Sequence, residues 1–278
     1  MGGNGQPGQS SRLWRVLYFT RSAAAEHSVV QRKGARLSLS ETVLTELGRK
    51  AGFEVECTKD GRVFDGDLDR YDVIAFYTSG DLTAQASDGS PPMSPRGKQR
   101  LLAAIAGGKG FVGFHSAADT FHSPGKRDEN QAEVDPYIAM LGGEALVHGP
   151  EQEAALFLTT RKFPGISLLG MAESISFTDH WYTFKNFQRD LHVLVVQETR
   201  YMQGAAYRRP DFPCTWVRRH GEGRVFYTSL GHSEEIWTNP FFQAIILGGL
   251  AWAAGRAEAD VRPNIEEVTP HAWQLKAG

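Results

Sequence analysis

The clearest indication of the fold is the segment Gly110-Phe-Val-Gly-Phe-His-Ser-Ala117, in which an apolar strand leads into a short turn of small residues. The apolar run predicts a buried strand from Gly110 to His115. A small residue two positions before His115 and another two positions after it are typical of the sharp strand-to-helix turn that carries the nucleophile of many hydrolases. Histidine is not an acyl nucleophile, but we expect this turn to present His115 as a base or as a metal ligand.

The first half of the chain alternates between strands and helices at short intervals. Apolar runs predict strands at residues 14–20, 54–58 and 72–78, and leucine and valine at helical spacing predict a helix at 38–51. A Ser-Pro pair begins a second helix, at 94–106. This alternation predicts an α/β fold with a mainly parallel sheet and helices on both faces.

The second half is richer in strands and ends in one apolar helix. These elements are predicted at residues 154–160, 193–198, 215–219, 224–229 and, for the helix, 241–254. Because no repeat or linker interrupts the order, we expect a single domain over residues 12–256. A flexible leader at 1–11 and an extended C-terminal tail at 257–278 would flank it.

Composition limits the functional classes. The chain has 278 residues, 41% of them hydrophobic, and a formal net charge of −2. These values exclude a chain that is disordered throughout, and they argue against nucleic acid or a membrane as partner. The N-terminus lacks the apolar segment of a signal peptide, so we expect a cytoplasmic protein, or an exported one if a signal peptide has been removed. Two cysteines, Cys57 and Cys214, are too few for a disulfide framework.

Polar side chains follow three of the predicted parallel strands. His27 comes after the first strand, Asp81 after the third, and His115, Asp119 and His122 after the fourth. Ligands of open parallel sheets bind beyond the carboxyl ends of the strands, so we expect these groups at one edge. If the segment after His115 is helical, Asp119 can orient the His115 ring. Alternatively, Asp119 caps a turn and His122 is exposed.

His232 and Glu234 follow the last predicted strand, at residues 224–229. A histidine with a carboxylate two residues later suits a base and the group that orients it. Acidic residues after a serine are also typical of the first turn of a helix, and both interpretations can hold together.

Two further segments carry candidate binding residues. His148 lies in a Gly-Pro turn, and the segment 178–184 combines His180 with Trp181 and Tyr182. Aromatic faces beside polar groups suit sugar rings, whose C–H faces are apolar and whose hydroxyls need hydrogen bonds. The alternative is a core strand with Trp181 or Tyr182 buried.

The chain resembles the ThuA-like family, the trehalose-utilisation proteins. The resemblance runs in order across about residues 14–256. It is carried by the segments Ala25-Glu-His27-Ser-Val-Val30, Phe76-Tyr-Thr-Ser-Gly-Asp81, Gly108-Lys-Gly-Phe-Val-Gly-Phe-His-Ser-Ala117, Leu141-Gly-Gly143, His148, Asp179-His-Trp-Tyr182 and Gly223-Arg-Val-Phe-Tyr-Thr-Ser-Leu-Gly-His232.

The resemblance implies a fold similar to that of the class I glutamine amidotransferases, a flavodoxin-like three-layer sandwich. In that superfamily the turn carries a cysteine and a later strand end carries His-Pro-Glu. Here His115 and His232-Ser-Glu234 occupy those places. Without a thiolate at the turn no covalent glutamyl intermediate can form, so we expect no glutaminase activity.

The resemblance also implies a role in the use of trehalose or a related, including oxidised, sugar. We expect a hydrolase or lyase in which His115, Asp119, His232 and Glu234 are catalytic. The expected substrate-binding residues are His27, Asp81, His148, His180, Trp181 and Tyr182. A divalent metal such as Zn²⁺ is a further hypothesis, with His27, His115, His148 and His232 as candidate ligands. A sugar-binding module without chemistry is the alternative, and the sequence leaves a homo-oligomer open.

Overall fold

A computed structural model describes residues 13–86 and 89–276. The leader expected at residues 1–11 lies outside the described residues. Within these two ranges, nine strands form one sheet: β1 (Trp14–Phe19), β2 (Phe53–Thr58), β3 (Val73–Phe76), β4 (Gly110–Phe114), β5 (Glu144–Leu158), β6 (Ser174–Lys185), β7 (His192–Gln197), β8 (Phe212–His220) and β9 (Gly223–Thr228). The helices are α1 (Leu39–Ala51), α2 (Pro95–Ala106), α3 (Pro136–Leu141), α4 (Glu234–Thr238), α5 (Pro240–Ala253) and α6 (Ile265–Val268).

The sheet is mixed, which corrects the expectation of a mainly parallel one. Its strand order is β2-β1-β3-β4-β9-β8-β7-β5-β6. The pairs among β2, β1, β3, β4 and β9 are parallel, whereas those from β9 through β8, β7 and β5 to β6 are antiparallel. The expectation was wrong because the alternation of strand and helix that forces parallel pairing holds only in the first half of the chain.

Helices cover both faces of the parallel part, so the predicted three layers are present there. Neighbouring residues of one strand point to opposite faces: Val16 belongs to one apolar cluster and Leu17 to the other. The first cluster includes Leu44 of α1 and Ile245 of α5, and the second includes Leu101 of α2. The two clusters hold the strands rigidly, which fixes where their carboxyl ends lie.

Local sequence signals set the start of α1. Ser38 accepts a hydrogen bond from the backbone N–H of Glu41, and the Glu41 carboxylate accepts one from the backbone N–H of Ser38. This reciprocal cap satisfies two amide groups that the first turn of a helix leaves unpaired. The predicted helix at 38–51 therefore agrees with the structure.

The C-terminal residues differ from the extended tail that was expected. They contain α6, whose Ile265 is buried. The indole N–H of Trp273 donates to the carbonyl of Phe187, and the guanidinium of Arg209 donates to the carbonyl of Ala272. These bonds attach the end of the chain to the antiparallel part of the sheet.

Candidate active site

The turn after β4 has the strained geometry that its sequence predicts. His115 has a φ of 42°, a left-handed conformation that is uncommon outside glycine, and it begins a short 3₁₀ helix, His115–Asp119. A side chain at Gly113 would place its Cβ 3.3 Å from the Cβ of Ala117 and 3.0 Å from the Tyr227 ring. The small residue thus leaves space for the turn. Strain of this kind is found preferentially at functional sites.

The ring of His115 is held in one tautomer. Its Nδ1 lies 2.7 Å from the carbonyl oxygen of Ser229, so Nδ1 carries the proton and donates it. Nε2 is buried and has no hydrogen-bond partner in the described residues. Burial and the nearby rings of His27 and His232 hold the pKa of His115 well below its usual value. A neutral imidazole with a free lone pair therefore faces its neighbours.

Three imidazoles meet at this point. Ring centroids are 5.0 Å apart for His27 and His115, 5.2 Å for His115 and His232, and 4.9 Å for His27 and His232. One nitrogen from each ring lies within 4.8 Å of the others, and Nδ1 of His27 is buried without a partner. Burial, followed by the His148 ring, lowers the pKa of His27 to about 4, and burial and His27 lower that of His232 to about 3. All three rings are neutral at pH 7.

Two more histidines complete the cluster from the antiparallel part of the sheet. His180 of β6 stacks on His232 with centroids 4.1 Å apart, and His148 of β5 lies 5.9 Å from His232. His148 is exposed and His180 is partly buried, so these rings stand at the open side of the cluster. Five of the nine histidines in the sequence therefore converge.

Asp179 is a buried carboxylate at this site that the sequence analysis did not include among the site residues. Its Oδ1 accepts backbone N–H bonds from His180 and Ser233, and its Oδ2 accepts them from Gly231 and His232, at 3.0–3.2 Å. Burial raises the pKa of Asp179, and these four donors oppose that effect. The sequence offered two signals for it: its position directly before His180, and its place in the segment Asp179-His-Trp-Tyr182 that carries the family resemblance. Although Asp179, His180 and His232 also have atoms within 4.8 Å of one another, the lone pairs of this carboxylate are already used.

Asp119 lies beside the cluster, but it does not orient His115 as expected, since the Ser229 carbonyl does so. Asp119 instead accepts from Nε2 of His122 at 3.1 Å and from Arg127 at 3.4 Å, and it faces the Tyr182 hydroxyl at 3.5 Å. The bonds to Asp119 and to Glu144 raise the pKa of His122 to about 9. Asp119 thus pairs with His122, a contact that the sequence analysis did not predict.

Two predicted residues lie apart from the histidines. Glu234 is exposed in the first turn of α4, which is the helix-start interpretation of that motif. The carboxylate that contacts the backbone of His232 is Asp179. Asp81 is exposed and accepts two hydrogen bonds from Thr83, and it lines a different cavity together with Lys98.

The two aromatic candidates have different positions. Trp181 is fully buried in an apolar cluster and donates to the carbonyl of Gln152, so its face is not available to a sugar. Its alternative interpretation, a core strand, agrees with the structure. The Tyr182 ring lies 4.7 Å from His115 and 5.2 Å from His148, so it forms a wall of the histidine cluster.

Comparison with known proteins places this fold and site in a family. A family model described as ThuA, trehalose utilisation, matches residues 15–253. The chain belongs to the ThuA family. No curated protein matches it by sequence.

Solved structures of ThuA-like proteins have the same fold. One from Bacteroides uniformis ATCC 8492 superposes with a TM-score of 0.62 at 18% identity, over 90% of this chain and 95% of that chain. One from Parabacteroides merdae ATCC 43184 gives 0.58 at 18% identity, over 93% and 96%. A β-galactosidase from Rahnella sp. R3 gives 0.53 at 13% identity, over 89% of this chain and 32% of that longer chain. At these identities the likeness shows the fold alone. Among the described residues, no helix has both the length and the apolarity to cross a bilayer.

Proposed function

We propose that this ThuA-family protein is a divalent-metal-assisted enzyme that breaks a bond in a carbohydrate, as a hydrolase or lyase. The observation that carries the proposal is the meeting of His27, His115 and His232, whose nitrogen atoms lie within 4.8 Å of one another. Two of these rings have a buried nitrogen without a hydrogen-bond partner in the described part of the chain. A buried polar atom without a partner is costly, and a shared cation would satisfy these nitrogens at once.

The electrostatics favour metal ligands over general bases at these positions. A general base works best when its pKa lies near the working pH, and pKa values of about 4 for His27 and about 3 for His232 are far below neutrality. A metal instead requires neutral imidazoles with free lone pairs. Three histidines with a fourth position open to solvent would suit Zn²⁺, which polarises oxygen groups and activates water when bound.

Asp119 is the proposed proton-transfer group. It lies outside the three-histidine set but is connected to it through Tyr182, whose ring lies 4.7 Å from that of His115. Contacts with His122 and Arg127 hold this carboxylate, and the Tyr182 hydroxyl faces its second oxygen. A substrate held between the metal ligands and Asp119 would have a proton donor or acceptor on its other side.

The carbohydrate substrate is proposed from the family's association with trehalose utilisation and from the exposed side of the cluster. His148 and His180 present ring nitrogens there, which suit sugar hydroxyls, and the buried ring of Tyr182 supports His148 from behind. Trp181 is not part of this proposal because it is buried. A cytoplasmic location and a homo-oligomeric state stay predictions.

Glutaminase activity does not fit the site. The turn that would carry a cysteine carries His115, while Cys57 lies on β2 and Cys214 on β8. Burial raises the pKa of both thiols to about 12, so neither forms a thiolate at neutral pH.

Metal analysis combined with a substrate screen tests the proposal. Purified protein, stripped and reloaded with Zn²⁺, should bind about one metal ion per chain and turn over at least one member of a panel of disaccharides and their keto derivatives. His220→Ala is the matched control, because His220 is a half-buried histidine in the β8–β9 hairpin, outside the cluster. Sugar binding with neither metal uptake nor turnover would instead support a non-catalytic binding module.

A further inference from the structure

The loop Gly231–Ser233, which carries His232, is held by its backbone. Asp179 accepts the N–H groups of all three loop residues, and it is itself fully buried. On the other side, the Gly231 carbonyl accepts from the Tyr77 hydroxyl at 3.1 Å and from the Trp237 indole at 2.8 Å. The loop is therefore fixed from both sides.

The imidazole of His232 has no comparable support of its own. Within residues 13–86 and 89–276, His232 takes part in hydrogen bonds through its backbone and not through its ring, whereas Nδ1 of His115 is bonded to the Ser229 carbonyl. The ring has neighbouring imidazoles on His27, His115, His148 and His180, but it forms no hydrogen bond with any of them. The position of the His232 nitrogens thus depends on where the backbone of the loop is held.

We infer that Asp179 is a positioning residue that sets His232 as a metal ligand, an inference that rests on the proposed function. Asp179 also accepts the backbone N–H of His180, so one carboxylate aligns the β6 strand and the β9 exit loop. Groups that orient a metal ligand without touching the metal typically change its affinity by about 10–100-fold.

Positioning by Asp179 requires a carboxylate, and an asparagine of the same size and shape should not replace it. Four N–H groups point at two oxygens, and an anion accepts all four. In Asp179→Asn, one oxygen is replaced by an NH₂ group that cannot accept, so two N–H donors lose their partner and face another donor. The loop should shift, while the three imidazoles themselves are unchanged.

The experiment measures Zn²⁺ affinity by competition with a chromophoric chelator, together with the visible spectrum of the Co²⁺-loaded protein and the Tm. Asp179→Asn should weaken Zn²⁺ binding by about 10–100-fold and alter the Co²⁺ bands. Tyr77→Phe removes one bond to the Gly231 carbonyl, but Trp237 still donates there, so the affinity should change by less than about threefold.

Two further variants separate positioning from general destabilisation. Asp211→Asn changes a different carboxylate, which is partly buried and accepts the backbone N–H of Thr199; it should lower the Tm without changing Zn²⁺ affinity. Ser233→Pro deletes one N–H donor to Asp179 at a backbone φ of −87°, about 20° from the value that proline favours. It should weaken Zn²⁺ binding several-fold even if Asp179→Asn fails to fold.

The outcomes distinguish this inference from the proposed function. If the wild type binds Zn²⁺ and both Asp179→Asn and Ser233→Pro bind it equally well, Asp179 has no positioning role. An equal loss of affinity in Asp211→Asn would also overturn that role, because the effect would be general. A wild type that takes up no metal would overturn the proposed metal site itself.

Discussion

The parallel strands β1, β4 and β9 are followed by His27, His115 and His232, whereas the antiparallel strands β5 and β6 contribute His148 and His180 from within their own length. The first three rings are the proposed metal ligands. Of the other two, His148 is exposed and His180 is partly buried. The parallel part of the sheet therefore provides the proposed metal ligands, and the antiparallel part provides the histidines beside them.

The two parts of the site are specified in different ways. Parallel strands end at one edge of a sheet, so residues that follow them must come close together. No such rule places the residues within an antiparallel strand. His148 lies in the cluster at the point where the β5–β6 pairing shifts register between His148 and Glu151, an irregularity that typically bends a strand locally.

The comparison predicts the largest effect at His115. In His115→Ala the metal affinity should fall more than about 100-fold, because losing a ligand exceeds the loss of a ligand's partner. Turnover should disappear, while the Tm stays within a few degrees of the wild type. Metal titration, assay and thermal unfolding check this. Unfolding of the variant under native conditions would show instead that His115 is a packing residue.

Asp119→Asn should leave the metal in place and slow the reaction. Loss of a positioned proton-transfer group costs about 10²–10⁴-fold in rate, so kcat should fall within that range. Measuring Zn²⁺ affinity alongside kcat distinguishes the loss of a proton-transfer group from the loss of the metal. A variant that keeps full kcat would remove Asp119 from the chemistry.

His148→Ala tests the antiparallel wall. Because His148 is exposed and stands at the open side of the cluster, its loss should raise KM by about tenfold, the cost of roughly one hydrogen bond to the substrate, with kcat and metal content nearly unchanged. Steady-state kinetics with matched metal loading measure this. If metal binding is lost as well, His148 belongs with the ligands, and the division proposed here fails.

The smallest effect is expected at His122. Its ring contacts Asp119, which follows the parallel strand β4, and Glu144 of the antiparallel strand β5. The bonds to these carboxylates raise its folded pKa to about 9 from an ordinary value of 6.5. The charged ring therefore stabilises the fold fully below pH 6.5, and this contribution is lost as the pH rises through 9.

Urea unfolding of the wild type and of His122→Gln at several pH values measures that contribution. Their difference in unfolding free energy should be greatest near pH 6 and should disappear above about pH 9. It should be modest, since the ring is 36% exposed. A difference that grows with pH would contradict the assigned pairs.

The sequence predicted the parallel half of the fold well. The predicted strand at 110–115 and helix at 38–51 agree with β4 and α1, because apolar runs and capping residues act locally. In the second half the prediction covered only the last part of β5, and it left β6 as one of two alternatives for the segment 178–184. Both strands contain exposed polar residues, so they lack the continuous apolar run from which a buried strand is predicted.

The site divides in the same way. The presence of histidines at strand ends and the strained turn at His115 follow from the sequence, since strand direction and small flanking residues determine both. Only the tertiary structure showed that the Ser229 carbonyl orients His115, that Asp119 pairs with His122, that Trp181 is buried, and that Asp179 holds the loop of His232. These contacts join residues far apart in the chain, and their partners depend on strand register and backbone position, which no local pattern of side chains encodes.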